Sequence, residues 1–459
     1  MSTSSGTPEP PERPTPAAPD AEPQPEAAAP EPTAEPTADP IPGPQPDADP
    51  QPDAAPQPAT ADAEPTAEPA TAPEPEAADP DAPHRRRRRR RLLAAGAGTL
   101  ALLLVAGAGT AWWAYRRLDG NITTDIATNR ILQHQESARP TRNPDPKTYN
   151  AENILLIGSD DRSGANGKYG EAGGQRSDTT ILLHLSADRK RAVAVSIPRD
   201  AMVTVPSCER SDGSYTHKQF VQFNWAFEFG GAACTIRTVE DLTGIRIDHH
   251  LIVDFTGFKK MVNAVGGVQV CLNQDVHDRN AKLDLPAGPH KLNGEQALGF
   301  VRVRETLGNG SDTERMGRQQ QFLSSLVKKV QSDGVLLNPT KLWPLLDAAT
   351  SSITADPGLS SLGALSDLAE SLRSIPAENV AFLTAPREPY PPDHNRDQLV
   401  QPLADQLFKA LNDDRPVRVT TDDASADDGG QRDKAVKASD SDEPSFSGRT
   451  ADQDICDKQ

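Results

Sequence analysis

Asn153-Ile154-Leu155-Leu156-Ile157-Gly158-Ser159-Asp160-Asp161-Arg162 decides how this chain reads. The apolar run is too short for a helix, and it stops at a Gly-Ser turn signal followed by two acids. Short apolar runs bounded by turn formers are core strands. The pattern recurs at 180–185, which Arg176-Ser177-Asp178-Thr179 precedes, and at 192–197, which Pro198-Arg199-Asp200 follows. Runs at 250–255, 268–272 and 380–384 read as further strands, with a Gly266-Gly267 turn before the second. Helical spacing of apolar residues predicts helices over 220–229, 235–242, 257–265, 294–303, 315–330, 341–353, 360–372 and 398–411. Strands interleaved with helices predict a layered α/β fold with a mostly parallel or mixed sheet.

Composition divides the rest. Residues 1–84 are almost wholly Pro, Ala, Glu, Asp, Thr and Gln, with Ile41 as the one large aliphatic residue. Such a segment cannot bury enough apolar surface to offset chain entropy, so it is expected to be disordered and cytoplasmic. An arginine run at 85–91 abuts an uncharged stretch at 92–114 that closes on Trp112, Trp113 and Tyr115. About 20 apolar residues suffice to cross a bilayer as one helix, and arginines stay on the cytoplasmic side. The expected organisation is therefore a basic flank and transmembrane helix over 85–115 and an extracytoplasmic stalk over 116–149. A catalytic domain over 150–415 and a disordered acidic tail over 416–459 follow. The formal net charge of −18 comes largely from the two ends and says little about the folded part. Cys208 and Cys234 flank a loop-and-helix segment and can bridge in an oxidising compartment. Cys271 reads as a buried thiol in its strand, and Cys456 sits in the tail.

The charged clusters continue at Arg302-Val303-Arg304 and at Asp312-Thr313-Glu314-Arg315-Met316-Gly317-Arg318-Gln319. Each lies where a strand or helix begins or ends, a placement that delivers charge to one site. Carboxylates hold hard cations and guanidinium forks grip phosphate oxygens in pairs, so the mixture suits a phosphate with a divalent metal. Any one of these side chains alone is more commonly a surface ion pair. The nine histidines form no metal-ligand pattern, and the His249-His250 pair beside a strand reads as structural. There is no Gly-x-Ser-x-Gly elbow and no Walker phosphate loop.

In order, these motifs resemble those of the LytR–CpsA–Psr family of actinobacterial type. The resemblance runs from Asn153 through Asp178 and Arg199 to Phe223-Asn224-Trp225-Ala226-Phe227. It continues at Leu285-Pro286-Ala287-Gly288 and Leu292-Asn293-Gly294-Glu295-Gln296 and closes at 312–320, a motif core over 150–332. The resemblance implies an α/β/α sandwich with a central mixed sheet, a long apolar pocket for a lipid tail, and one membrane helix before the domain. It implies a phosphotransferase that moves a glycopolymer, such as teichoic acid or arabinogalactan, from a polyprenyl diphosphate carrier to peptidoglycan through a phosphodiester. By the resemblance, Asp160 and Asp178 bind Mg2+ or Mn2+, and either could accept the hydroxyl proton. Arg162, Arg199, Arg302, Arg304, Arg315 and Gln319 grip the head group and Arg176 assists, while Asp200 orients Arg199 or caps a turn. Glu314 stands where relatives often have Gly, and the acidic tail stands where many actinobacterial relatives have a second domain.

Rival readings are a carrier-binding scaffold, a diphosphatase that releases polymer to water, and a transcription regulator. A scaffold needs neither both acids nor all the arginines. A regulator needs a basic reading element on the cytosolic side, where the chain offers only an acidic proline-rich segment and the arginine run.

Overall fold

A helix of 38 residues, α1 (Ala82–Asp119), leads into the folded part. It contains a span, Arg90–Asp119, long and apolar enough to cross a membrane, and its most apolar stretch is not covered by the rest of the chain. The computed structural model describes residues 82–159, 177–303, 312–332, 339–420 and 444–453. After α1 come β1 (Thr123–Thr124), α2 (Ile126–His134), β2 (Glu152–Ser159), β3 (Ser177–Leu185) and β4 (Ala192–Ile197). A hairpin, β5 (Met202–Val205) and β6 (Gln219–Gln222), precedes α3 (Trp225–Thr243), β7 (His249–Asp254) and α4 (Phe255–Ala264). Short strands β8 (Val268–Leu272), β9 (Val276–Asp278), β10 (Leu283–Leu285) and β11 (Gly288–Leu292) lead to α5 (Gly294–Arg302) and α6 (Asp312–Ser332). The chain continues through α7 (Pro339–Thr350), β12 (Ile353–Ala355), α8 (Leu362–Ser374) and β13 (Val380–Thr384). A second hairpin, β14 (Arg387–Tyr390) and β15 (Asp393–Leu399), then α9 (Leu403–Asn412), β16 (Arg418–Thr420) and β17 (Ser445–Thr450) complete it.

Nine strands form one mixed sheet in the order β1-β12-β7-β2-β3-β4-β13-β17-β16. Alternation along β2 sends Leu155 and Ile157 to one face and Ile154 and Leu156 to the other, as the two-residue period of a strand requires. On the first face they meet Ile131 and Leu132 of α2, Ile236 and Val239 of α3, and Leu407 and Phe408 of α9. On the second they meet Leu323 and Val327 of α6 and Leu365, Leu368 and Leu372 of α8. The architecture is the expected α/β/α sandwich. A third core, beside the sheet, packs Phe322 of α6 against Val262, Val268, Leu292 and Phe300. Helix α6 thus joins two cores, one through Phe322 and the other through the adjacent Leu323.

Three expectations are corrected. Residues 116–149 are not a stalk: Leu118, Ile122, Ile131 and Leu132 are buried, and β1 is an edge strand of the sheet. Within the expected disordered tail, β17 pairs antiparallel with β13 and buries Phe446 and Ala451. A Cβ at Gly448 would lie 2.3 Å from the Phe382 carbonyl oxygen, so the strand can approach only because glycine stands there. Cys208 and Cys234 form a disulfide, but Cys271 is disulfide-bonded too and is not a free thiol. Smaller differences follow from tertiary pairing. Residues 219–222 are strand rather than helix, because Val221 pairs with Val203 across the hairpin. The last helix starts at Leu403, since 393–399 pairs with 387–390. The segment 1–81 lies outside the described residues.

Candidate active site

One end of the sheet collects the charged motifs. Strands β2 and β7 are parallel and finish there together, Ser159 opposite Asp254. Strand β3 is antiparallel to both its neighbours and starts there with Ser177 and Asp178, while β4 finishes there and runs on into Pro198, Arg199 and Asp200. Strand β13, parallel to β4, ends at Thr384 on the same side. In α/β sheets the carboxyl ends of parallel strands are where ligands bind, because the backbone there turns away and leaves a crevice.

Arg199 is fixed before any ligand arrives. Its Nη1 donates to Asp178 Oδ1 at 2.6 Å and its Nε donates to Asp200 Oδ2 at 3.3 Å. Asp200 in turn accepts from Gln222 Nε2 at 2.8 Å, and Gln222 Oε1 accepts from Trp225 Nε1 at 3.1 Å. The Phe223-Asn224-Trp225 motif explains itself here. Phe223 N donates to Ala201 O and Asn224 N to Arg199 O, so the start of α3 clamps the backbone of the Arg199 turn. The expected orienting role of Asp200 matches this geometry.

The other side comes from the helices. Leu292-Asn293-Gly294-Glu295-Gln296 is a capping box, with Asn293 accepting from Gln296 N and Gln296 closing back on Asn293 N. Gly294 packs so tightly on α4 that a Cβ would meet Lys259 O at 2.3 Å. This motif therefore sets α5 so that Arg302 lies in its last turn, its Cζ 4.9 Å from the Phe255 ring centroid. On α6, Arg315 and Gln319 are buried, and Gln319 Nε2 donates to Thr179 Oγ1 at 3.2 Å. Arg318 Nη2 donates to Val303 O at 2.5 Å and ties α6 to the end of α5; burial pushes its guanidinium below its usual value. Gln320 Nε2 donates to Thr384 Oγ1 at 2.8 Å and seats the helix on β13.

Asp178, Thr179, Thr180, Ser196, Arg199, Arg315 and Gln319 line one cleft of about 190 Å³. The structure thus brings together Asp178, Arg199, Arg315 and Gln319 of the expected site, with Arg302 on the Phe255 ring. Asp160, Arg162, Arg176 and Arg304 lie outside the described residues. The sequence reading gave no role to Thr180, Gln222, Phe255 and Gln320, and quoted Thr179 and Arg318 only as members of their motifs. Their positions beside the motif residues were the available signal, but neutral polar and apolar side chains carry no mark of their role.

The cleft is lined mostly by polar and charged side chains, a lining that suits an anionic group better than an apolar one. Phe258 and Phe322 are in ring contact at 5.3 Å, and Leu156, Leu323 and Val327 pack on the sheet core. The donors suit a hard cation in part. Asp178 Oδ1 is taken by Arg199, and Asp178 Oδ2 has no hydrogen-bond partner among the described residues. No group of three or more His, Cys, Asp or Glu side chains that could hold a metal occurs among them. That pattern fits Mg2+, which takes one or two carboxylates and completes its shell with substrate phosphates and water.

The profile of the LytR_cpsA_psr family matches residues 116–413. The chain is similar to "Cell wall biosynthesis protein LcpA" of Corynebacterium glutamicum, 34% identical over 51% of this chain and 50% of that protein. It is also similar to "Polyisoprenyl-teichoic acid–peptidoglycan teichoic acid transferase TagT" of Bacillus subtilis, 31% identical over 51% of this chain and 69% of that protein. The chain spans about half the length of the Corynebacterium relatives it matches. A solved structure titled "LytR-Csp2A-Psr enzyme from Actinomyces oris" aligns with a TM-score of 0.47 at 21% identity, over 60% of this chain and 93% of that one.

Proposed function

This chain belongs to the LytR_cpsA_psr family, and on that basis we propose that it is a membrane-anchored phosphotransferase. It moves a wall glycopolymer from a polyprenyl diphosphate carrier to a peptidoglycan hydroxyl, forming a phosphodiester. The observation that carries this is the Asp178–Arg199 pair in a polar cleft at the sheet end into which α1 feeds. Strand β1 starts at that end, Thr123 opposite Thr354 and Ile353 opposite Val253. Arg117 pairs with Asp347 of α7, and Asp119 accepts from Leu362 N at the start of α8, so the foot of α1 is tied to both helices. With the arginines of 85–91 on the cytoplasmic side, the domain stands outside and its cleft faces the membrane. A carrier anchored in the outer leaflet then presents its diphosphate where the guanidinium groups are.

The chemistry follows from charge. An acceptor hydroxyl oxygen forms a bond to phosphorus while the bond from phosphorus to the carrier phosphate breaks, and polyprenyl phosphate leaves with the electron pair. Arg199, held in place by Asp178 and Asp200, and Arg315 meet the phosphate oxygens as negative charge shifts to the leaving group; groups oriented in advance need no reorganisation. Arg302, whose guanidinium lies over the Phe255 ring, adds a further planar fork for phosphate oxygens. The hydroxyl proton passes to a carboxylate at the site, whichever of Asp178 and, by the resemblance, Asp160 does not hold the metal. Mg2+ held by Asp178, or by Asp160 by the resemblance, would offset the diphosphate charge.

Full-length protein in detergent micelles, given a polyprenyl-diphosphate-linked saccharide and peptidoglycan, is expected to release polyprenyl phosphate and fix the saccharide to the wall polymer. Asp178→Asn is expected to lower transfer about 100-fold and to weaken Mn2+ binding followed by paramagnetic resonance. Full transfer by Asp178→Asn would overturn the assignment, and release of saccharide to water alone would make the protein a diphosphatase.

A further inference from the structure

Beside the cleft, two hairpins present an aromatic surface that the phosphate chemistry does not use. Phe220 on β6 is 53% exposed, an unusual cost for a Phe on a well-ordered strand. Its ring centroid lies 6.1 Å from that of Tyr390 on β14, the planes tilted at 56°. Strand alternation puts Phe220 on the same face of β6 as Gln222, about 7 Å along the strand, while Val221 turns to the core. Gln222 is the residue that holds Asp200, which holds Arg199. The aromatic pair therefore lies two residues along β6 from the chain of hydrogen bonds that holds Arg199.

Both hairpins are pinned to the Arg199 turn. Asp397 of β15 donates its N–H to Asp200 O at 3.2 Å and bridges to Ala201. Its buried carboxylate pairs with Arg387 of β14. Met202 lies opposite Gln222, and Thr204 lies opposite Phe220. The surface is thus rigid, aromatic and flanked by amide and hydroxyl groups. Such a face suits a pyranose chain: the C–H side of a sugar ring lies on the electron-rich ring face, and its hydroxyl and acetamido groups reach the polar edge.

We propose that Phe220 and Tyr390 form a subsite for the acceptor glycan, on which a β-1,4-linked amino-sugar strand lies so that one of its hydroxyls reaches the cleft at Arg199. The inference rests on the phosphotransferase reading for the direction of the strand, but saccharide binding is measurable without turnover.

Calorimetric titration of the full chain in micelles with chitotetraose, and with muramic-acid-containing tetrasaccharide, tests it. The wild type is expected to bind the second, and Phe220→Ala with Tyr390→Ala to weaken binding about tenfold or more. Tyr390→Phe, which keeps the ring, is expected to bind as the wild type does. In the transfer assay the double variant raises the acceptor KM about tenfold and leaves the donor KM unchanged. Absence of saccharide binding by the wild type, or equal binding by the double variant, overturns the subsite. A rise in donor KM instead overturns it by assigning the surface to the carrier. If binding falls as expected but no protein transfers polymer, the subsite stands and the phosphotransferase reading falls.

Discussion

Where β2 and β7 finish, Arg199 bridges Asp178 and Asp200 beside an open cleft; where they start, side chains of the same kinds close on one another. At that far end Arg142 meets Asp248 at 2.6 Å, Arg189 meets Glu152 at 2.5 Å, and His249 meets Asp356 at 3.1 Å. The acids there also accept backbone N–H groups: Asp248 from Asn153, Asp356 from His250 and Gly358, and Asp414 from Ala187. They staple loops to strand ends. A hollow of about 390 Å³ lies among them, larger than the cleft at the other end, yet its charges are already matched. The difference teaches that volume does not mark the site. At the cleft, by contrast, Asp178 takes no backbone N–H among the described residues, and the charges are oriented by side chains that leave them facing outward.

Arg199→Ala should break this contrast most visibly. Transfer is expected to fall about 100- to 1,000-fold, while the melting temperature moves by no more than a few degrees, as steady-state release of polyprenyl phosphate and thermal unfolding will show. Near-normal turnover would dissolve the distinction between the two ends. The opposite outcome is expected for Glu240→Ala on α3. Its carboxylate is fully buried and is held by Arg139, Arg237 and the Ile247 N–H. Removing one partner of such a network strands buried charge and costs about 3–5 kcal/mol, read by urea unfolding of the detergent-solubilised protein, with turnover per folded molecule unchanged. Phe255→Leu lies between. It frees Arg302 from its ring without removing the charge, and a cation–ring contact of about 0.5–2 kcal/mol predicts a donor KM raised roughly twofold to thirtyfold and a kcat little altered.

The sequence disclosed the central strands because β2, β3 and β4 are buried on both faces and read as continuous apolar runs. Asp178 and Arg199 could be placed at one site because each adjoins such a run. The hairpins could not be found this way. In β14 the residues are Arg387-Glu388-Pro389-Tyr390, and they are strand only because β15 pairs with them. Strand β17 looked like tail because Ser445-Phe446-Ser447-Gly448-Arg449-Thr450 has a single large apolar residue; its place in the sheet comes from β13, far away in sequence. The same holds for Phe255, whose contact with Arg302 depends on how α5 is capped and packed on α4 rather than on any local pattern.

The smallest effect should separate the far end from the cleft by pH alone. His249 is held above its ordinary value, chiefly by its hydrogen bond to Asp356, with the charges of Asp356, Glu152 and Asp248 adding to it. Asp356 is held below the usual carboxylate value: burial opposes ionisation, but the His249 bond and charge and the backbone N–H groups of His250 and Gly358 outweigh it. A histidine whose folded pKa is raised adds stability that is full below its unfolded value, near 6.5, and is lost as pH climbs through the folded value. For the depressed Asp356 the loss comes instead as pH falls through the carboxylate range, below the window of interest. Between about pH 6 and 8 the wild type should therefore lose stability that His249→Asn never had. For one partly buried pair this is on the order of 1 kcal/mol, a few degrees at most. Melting curves of both proteins across that window should converge at the alkaline side and part at the acid side. Parallel curves would mean that the His249–Asp356 couple is no staple, and that the two ends of the sheet differ less than their geometry says.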